Sequence, residues 1–91
     1  MSSNFRIIPY NFDNTLFLRL TGDFDEYSAR ELINTLKEHD AGFSDIFIDT
    51  NEVNTVNTFE KETFEKNIAG IKKQVKNLIF IGANKNKLTQ V

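Results

Sequence analysis

Three carboxylates and one hydroxyl have residue types and spacing that could support chemistry in this chain. Asp23, Asp25 and Asp49 follow two apolar runs, and Thr58 precedes a third. Paired carboxylates bind divalent cations or transfer protons. The sequence has no Asp-x-Asp-x-Gly calcium loop and no second acid at helical spacing beside them. Structural roles are therefore favoured, with Asp25 capping a helix and Asp49 fixing a turn.

The sequence offers no other arrangement typical of an active site. His39 is the only histidine, no recognisable serine nucleophile accompanies it, and there is no cysteine. The four glycines are scattered, so the chain has no glycine-rich phosphate loop. We expect no enzymatic activity, no bound metal and no cofactor.

Length and composition indicate one domain over residues 1–91. A chain of 91 residues that is 40% apolar and 26% charged has room for one hydrophobic core. The absence of cysteine fits a reducing compartment, and Met1 is not followed by an apolar signal segment. No run approaches the roughly 18 apolar residues of a membrane helix. We expect a cytoplasmic protein with no membrane partner.

The charges are divided unevenly along the chain. Residues 1–59 carry four basic and ten acidic side chains, a balance of −6, whereas residues 60–91 carry seven lysines and three glutamates, a balance of +4. A nucleic-acid surface would interleave arginine and exposed aromatic residues with those lysines. Their neighbours are instead Ile, Val and Leu at core spacing, which indicates a solvated helix face. No nucleic-acid partner is expected.

The apolar pattern predicts an N-terminal β-hairpin. Two strand-like runs, Phe5–Ile8 and Leu16–Leu20, flank a turn between Asn11 and Asn14. Pro9 cannot donate a ladder hydrogen bond, and this places the first strand at the edge of a sheet.

Alternating helices and strands follow the hairpin. A strand ending in Gly22-Asp23-Phe24-Asp25 leads to a helix from about Glu26 to His39, and then to the strand Asp45–Asp49. The Asn- and Thr-rich segment Asn51–Asn57 reads as a loop, in which Val53 and Val56 point inward. Asn57 is predicted to cap a second helix, with Glu60 completing a capping box. That helix has one apolar stripe, at Phe64, Ile68, Ile71 and Val75.

The remaining residues complete an α/β fold. Leu78–Gly82 reads as the last strand, and residues 85–91 can form at most a short helix. The order predicts a four-stranded, mostly parallel sheet with an antiparallel edge hairpin, two main helices on one face and a short C-terminal helix. Asp25, Asp49 and the Asn57–Thr58 turn should then meet at the carboxyl ends of the parallel strands, where such sheets build recognition surfaces.

Three of these segments, taken in order, resemble a STAS domain, the fold of bacterial anti-sigma-factor antagonists and of sulfate-transporter tails. Gly22-Asp23-Phe24-Asp25 is similar to the family's Gly-x-Leu-Asp, and Ile46-Phe47-Ile48-Asp49 is similar to its apolar strand ending in Asp. Leu78–Gly82 is similar to its fourth strand. The ungapped match runs from about Thr21 to Gly82, and it implies a STAS-like fold.

The chain departs from the family at the turn before the second helix. Antagonists of the family carry Asp-Ser-Ser-Gly there, and a partner kinase phosphorylates the second serine. This chain has Asn57-Thr58-Phe59-Glu60, so that Phe59, which has no hydroxyl, stands at the phosphoacceptor position. Thr58 is the alternative acceptor, where the helix dipole would favour a phosphate and Glu60 and Glu62 would repel it. We favour Thr58 as an unmodified first-turn helix residue.

The resemblance implies a non-enzymatic module that binds a protein partner, such as an anti-sigma factor or a kinase-like regulator in a bacterial signalling system, without the usual serine switch. The predicted interface is the loop and helix start Asn51–Glu62, with the Asp23–Tyr27 loop beside it. The predicted binding residues are Asp23, Asp25, Asn57, Thr58, Phe59, Glu60 and Glu62. Phe59 is either an exposed interface anchor or a core residue beside Phe64. Replacing Thr58 and Phe59 with Ala is expected to weaken binding without unfolding the domain. The alternatives are an assembly or homodimerisation unit, or a carrier of a small molecule or lipid on the sheet face that the helices leave open.

Overall fold

The computed structural model describes residues 4–39 and 42–89, which form four strands and three helices. In chain order the elements are β1 (Arg6–Phe12), β2 (Thr15–Phe24), α1 (Glu26–His39), β3 (Asp45–Val56), α2 (Lys61–Lys72), β4 (Asn77–Ile81) and α3 (Lys85–Leu88). None of the helices in these two ranges has the length and apolar character needed to cross a membrane.

The sheet has the predicted topology. Its strand order is β1-β2-β3-β4, with β1 antiparallel to β2 and the other two pairs parallel. Pro9 lies opposite Leu18 on the outermost strand, where one side of the backbone has no ladder to complete. Strand β1 runs four residues further than predicted, and the turn narrows to Asp13, whose φ is 54°, and Asn14.

The core lies between one face of the sheet and the two long helices. Alternate residues of β2, namely Leu16, Leu18 and Leu20, are fully buried because successive strand residues point to opposite faces. The apolar stripes of α1 and α2 cover them, with Leu32, Leu36, Phe64 and Ile68 all buried. The α/β fold class predicted from the sequence is confirmed.

Strand β3 is longer than predicted. Residues 51–56, expected to be a loop, continue the strand and pair with the second half of β2, as in the pairs Thr21–Glu52 and Phe24–Val56. Two register shifts place two extra residues on β3 relative to β2. At the first shift, the Asn51 N–H donates to Asp49 Oδ1 at 2.9 Å, so that Asp49 fixes the bend as predicted. Asp49 itself therefore lies within the sheet and not at the end of its strand.

Helix α2 begins later than predicted. Its first residue is Lys61, so that Glu60 takes the N-cap position, where its side chain makes no capping bond. The capping box of Asn57 and Glu60 is wrong, because Asn57 is still tied to the sheet: its N–H donates to the Phe24 carbonyl at 2.7 Å. Val75 lies beyond the end of α2 but is buried as the stripe predicted.

Candidate functional site

Two segments meet at the carboxyl end of the β2–β3 pair and form what we call the strand-end corner, residues 23–27 and 57–62. The Asn57 N–H donates to the Phe24 carbonyl at 2.7 Å, and the Glu60 N–H donates to the Glu26 carboxylate at 2.8 Å. The seven predicted site residues fall on these two joined segments. The structure therefore brings together residues that lie more than thirty positions apart in the sequence.

Asp25 caps α1, as the sequence predicted. The Ser28 N–H donates to Asp25 Oδ1 at 3.0 Å, and the buried Ser28 hydroxyl lies 3.0 Å from both that oxygen and the Asp23 carbonyl. A side-chain oxygen at this position satisfies a backbone donor in the first turn, which otherwise has no partner within the helix. Asp25 thus fixes the direction in which α1 leaves the sheet.

The three carboxylates that could have formed a cluster do not converge. Asp23 accepts a 2.8 Å hydrogen bond from the Thr55 hydroxyl, Asp25 caps α1, and Asp49 lies further back in the sheet. Within the described ranges, no three His, Asp or Glu side chains are arranged to hold a metal ion. The expected meeting of Asp49 with the strand-end corner is wrong, because β3 continues for seven residues after it.

Gly22 shapes the approach to the corner. Its φ is 91°, and a Cβ atom there would lie 2.5 Å from the carbonyl oxygen of Asn4. The Asn4 side chain also accepts the N–H of Asp23 at 3.2 Å. Glycine is therefore required by both conformation and space at the point where the N-terminal segment crosses the end of β2.

Phe59 packs against the core. Its half-buried ring packs edge-to-face against Phe24, with ring centroids 5.1 Å apart, and against Phe64, at 5.5 Å. Of the two alternatives for this residue, the structure shows the one beside Phe64. Replacing Phe59 therefore removes partly buried ring contacts, and we expect it to lower stability without unfolding the domain.

Thr58 lies on the surface and precedes the first residue of α2 by three positions, so it is not the first-turn residue predicted. Its neighbours line a shallow groove of about 370 Å³, which is bordered by Val56, Asn57, Thr58, Phe59, Lys61 and Lys87. Glu60 and Glu62 are exposed beside it. The groove thus has two lysines on its border, and neither of the two acids expected from the sequence lines it.

The sequence analysis gave no role to three residues of the site, although two of them, Glu26 and Tyr27, lie in the predicted Asp23–Tyr27 loop. Glu26 accepts the Glu60 N–H, and this bond links α1 to the start of α2. The Glu26 carboxylate also pairs with Arg30 of the same helix at 3.5 Å. Tyr27 is half exposed at the start of α1. Lys87 reaches the corner from α3. An acid in the first turn of a helix was a visible signal for Glu26, whereas Lys87 approaches only because of the tertiary fold.

No protein-family model matches the sequence, and no curated protein sequence matches it. Solved structures do match. The protein Mglu superposes with a TM-score of 0.72 at 10% identity, over 84% of this chain and 19% of Mglu. The anti-sigma factor antagonist SpoIIAA in its unphosphorylated form superposes with a TM-score of 0.63 at 12% identity, over 94% of this chain and 81% of SpoIIAA. This chain has a SpoIIAA-like fold.

A third structure extends the SpoIIAA-like group. An uncharacterized DUF3478-family protein from Shewanella loihica PV-4, itself described as having a SpoIIAA-like fold, superposes with a TM-score of 0.62 at 16% identity, over 91% of this chain and 70% of that one. The chain spans about a fifth of Mglu but most of the other two proteins. The STAS-like fold implied by the sequence resemblance is confirmed.

Proposed function

We propose that this chain is a non-enzymatic regulatory module that binds a protein partner through the strand-end corner and lacks the serine phosphoswitch. The observation that carries the proposal is the largely exposed segment 57–60, which has no regular secondary structure. Two of its backbone N–H groups fix it, one donating to the Phe24 carbonyl and the other to the Glu26 carboxylate. The likeness to the anti-sigma factor antagonist SpoIIAA supports a regulatory protein as the class.

The corner is preorganised for binding. Its backbone is anchored by Glu26 and Phe24, and the Phe59 ring fastens it to the core from below. A surface that is already ordered loses little conformational entropy on association, so more of the contact energy appears as affinity. The outward side chains of Asn57, Thr58, Glu60 and Glu62 are polar or acidic, which suits a partner with basic and hydrogen-bonding groups. An anti-sigma factor or a kinase-like regulator is the kind of partner we propose.

The absence of a hydroxyl at Phe59 supports the proposal that the chain lacks the serine phosphoswitch. The ring is held between two aromatic side chains, so this position serves packing and has no group to phosphorylate. Thr58 is the remaining hydroxyl of the turn. Lys61 and Lys87 would stabilise a phosphate there, whereas Glu60 and Glu62 would repel it. We propose that Thr58 stays unmodified, and intact-mass measurement of the protein from its native cell would contradict this if it found phosphate on Thr58.

Charge reversal in the corner tests the proposed binding surface. The double variant Glu60→Lys with Glu62→Lys should lower affinity for a partner captured from native extract by about tenfold or more, because both acids face solvent beside Thr58. Titration of the purified partner gives the affinity. The matched control is Glu38→Lys, an exposed acid in the last turns of α1. Equal affinity for the corner variant and the control would rule out this surface.

A further inference from the structure

The sheet face turned away from the two long helices is largely apolar. We call it the open face, and its central residues are Ile8, Tyr10, Phe17, Arg19, Phe47, Asp49, Ile79 and Ile81, which the strand registers place on one side. Phe12 continues the same side of β1. Tyr10 and Phe12 are 67% and 72% exposed, and Ile8 and Ile79 are 45% and 42% exposed. A contiguous apolar surface of this kind marks an interaction site on a small protein.

Aromatic rings form a row across the middle of the open face. The Tyr10 and Phe17 centroids are 6.2 Å apart, and the Phe17 and Phe47 rings are stacked at 5.2 Å. Ile79 of β4 continues the row, since it is the register partner of Phe47. Beside this row a groove of about 330 Å³ is lined by Ile8, Tyr10, Phe17, Arg19, Asp49 and Ile81.

The charges of the open face are separated by strand. The cations Arg6 and Arg19 lie on β1 and β2, and the anions Asp45, Asp49 and Glu52 lie on β3. One further anion, Asp23 at the end of β2, accepts a hydrogen bond from the Thr55 hydroxyl of β3. Arg19 is the register partner of Asp49, so that one cation and one anion stand side by side near the centre of the face. The centre of the face is therefore positive on β2 and negative on β3, which makes it complementary to a rotated copy of itself.

We propose that the open face is the interface of a symmetric dimer of this chain. The two-fold axis runs parallel to the strands, between β2 and β3. This operation places β2 of one copy over β3 of the other, so that Arg19 faces Asp49 of the second copy and Phe17 faces its Phe47. An axis across the strands would instead place the cationic strands over one another. A two-fold interface requires a self-complementary patch, and only the first arrangement provides one.

The size of the face limits the expected affinity. Four strands spaced about 4.8 Å apart and about seven residues long give a plane of roughly 19 Å by 23 Å. Two copies would bury on the order of 900 Å² in total, which is the size of a weak or transient protein interface. We therefore expect a dimer that dissociates in the micromolar range. The strand-end corner lies at the end of the sheet and stays free, so a dimer would present two corners, and its formation does not depend on the proposed partner.

The mass of this 91-residue chain in solution tests the proposal. Sedimentation equilibrium should show a mass that rises from the 10.5 kDa monomer toward twice that value with concentration. Arg19→Glu and Asp49→Arg should each weaken dimerisation at least about tenfold, because each places two like charges in contact across the axis. The combined swap should recover most of the loss. Lys66→Glu and Glu38→Arg, exposed on the helices, are matched controls that should leave the mass unchanged.

A second variant, at exposed aromatic residues, separates loss of dimerisation from loss of folding. Asp49 accepts the Asn51 N–H, so its replacement also affects the bend of β3. Tyr10→Ser with Phe12→Ser removes two exposed rings that the monomer hardly buries, and it should weaken the dimer with an unchanged circular dichroism spectrum. A monomer at millimolar concentration would overturn the proposal, as would a dimer that neither the Arg19→Glu nor the Tyr10→Ser/Phe12→Ser variant weakens. A monomer that co-purifies with a lipid would assign the face to that ligand instead.

Discussion

At the scale of single residues, the neighbours Phe59 and Thr58 have different roles: the first packs against the core, and the second is exposed. The sequence resemblance aligns the phenylalanine with the phosphorylated serine of the STAS antagonists, and its half-buried ring packs against Phe24 and Phe64. Thr58 points to solvent beside it. One position thus holds the corner on the core while the other is available to a partner, and substitutions should separate the two effects.

Phe59→Ala should lower the free energy of unfolding by about 2 kcal/mol, less than for a fully buried phenylalanine because the ring is half-buried. Thr58→Ala should change it by no more than about 0.5 kcal/mol, since the side chain is exposed. Urea denaturation followed by circular dichroism gives both values. If Phe59→Ala is as stable as Thr58→Ala, the ring does not anchor the corner.

The individual site residues were predicted unequally well. The capping role of Asp25 could be predicted because a helix cap depends on a bond to a residue three positions away, here Ser28. The burial of Phe59 could not be decided, because it depends on rings that the fold brings from β2 and α2. The same limit applies to Lys87.

At the scale of elements, the sequence predicted the helices and strands that have a clear apolar period. It did not predict strand residues that are held only by backbone pairing with a neighbouring strand. Helix α1 was predicted at its observed bounds from the spacing of Ala29, Leu32, Ile33 and Leu36. The second half of β3 was missed, because Asn51–Thr55 has one apolar residue and is polar otherwise. It becomes a strand only through its pairing with β2, at the cost of two register shifts.

At the start of α2, a contact with α1 replaces the capping box that the local sequence predicts. The local pattern pointed to a capping box at Asn57 and Glu60. The backbone donor of Glu60 is instead satisfied by Glu26, which lies 34 residues earlier and also pairs with Arg30. A carboxylate at this position also interacts favourably with the positive end of α2.

Glu26→Ala should therefore loosen the first turn of α2. We expect a loss of about 1 kcal/mol of stability and faster amide hydrogen exchange over residues 60–64, because the Glu60 N–H loses its protein acceptor. Glu38→Ala, at the other end of α1, is the control and should leave those amides unchanged. Identical exchange in both variants would show that Glu26 does not hold the corner.

At the scale of the whole molecule, the sheet presents two separate surfaces. The strand-end corner is polar and acidic at the carboxyl end of β2 and β3, and the open face is apolar with a central Arg19–Asp49 pair. The sequence predicted the corner from the order of its elements and noted that one sheet face would lack helices. It could not give the charge pattern of that face, since this follows from the register of β1, β2 and β3.

The central claim is that a protein partner binds at the strand-end corner, and site-specific photo-crosslinking in the native cell tests it most directly. A photoreactive side chain at position 58 should yield a discrete adduct with one protein, because Thr58 is exposed within the proposed surface. The same side chain at position 38, exposed on the last turns of α1, should not. The absence of an adduct from position 58, or the same adduct from both positions, would contradict the claim.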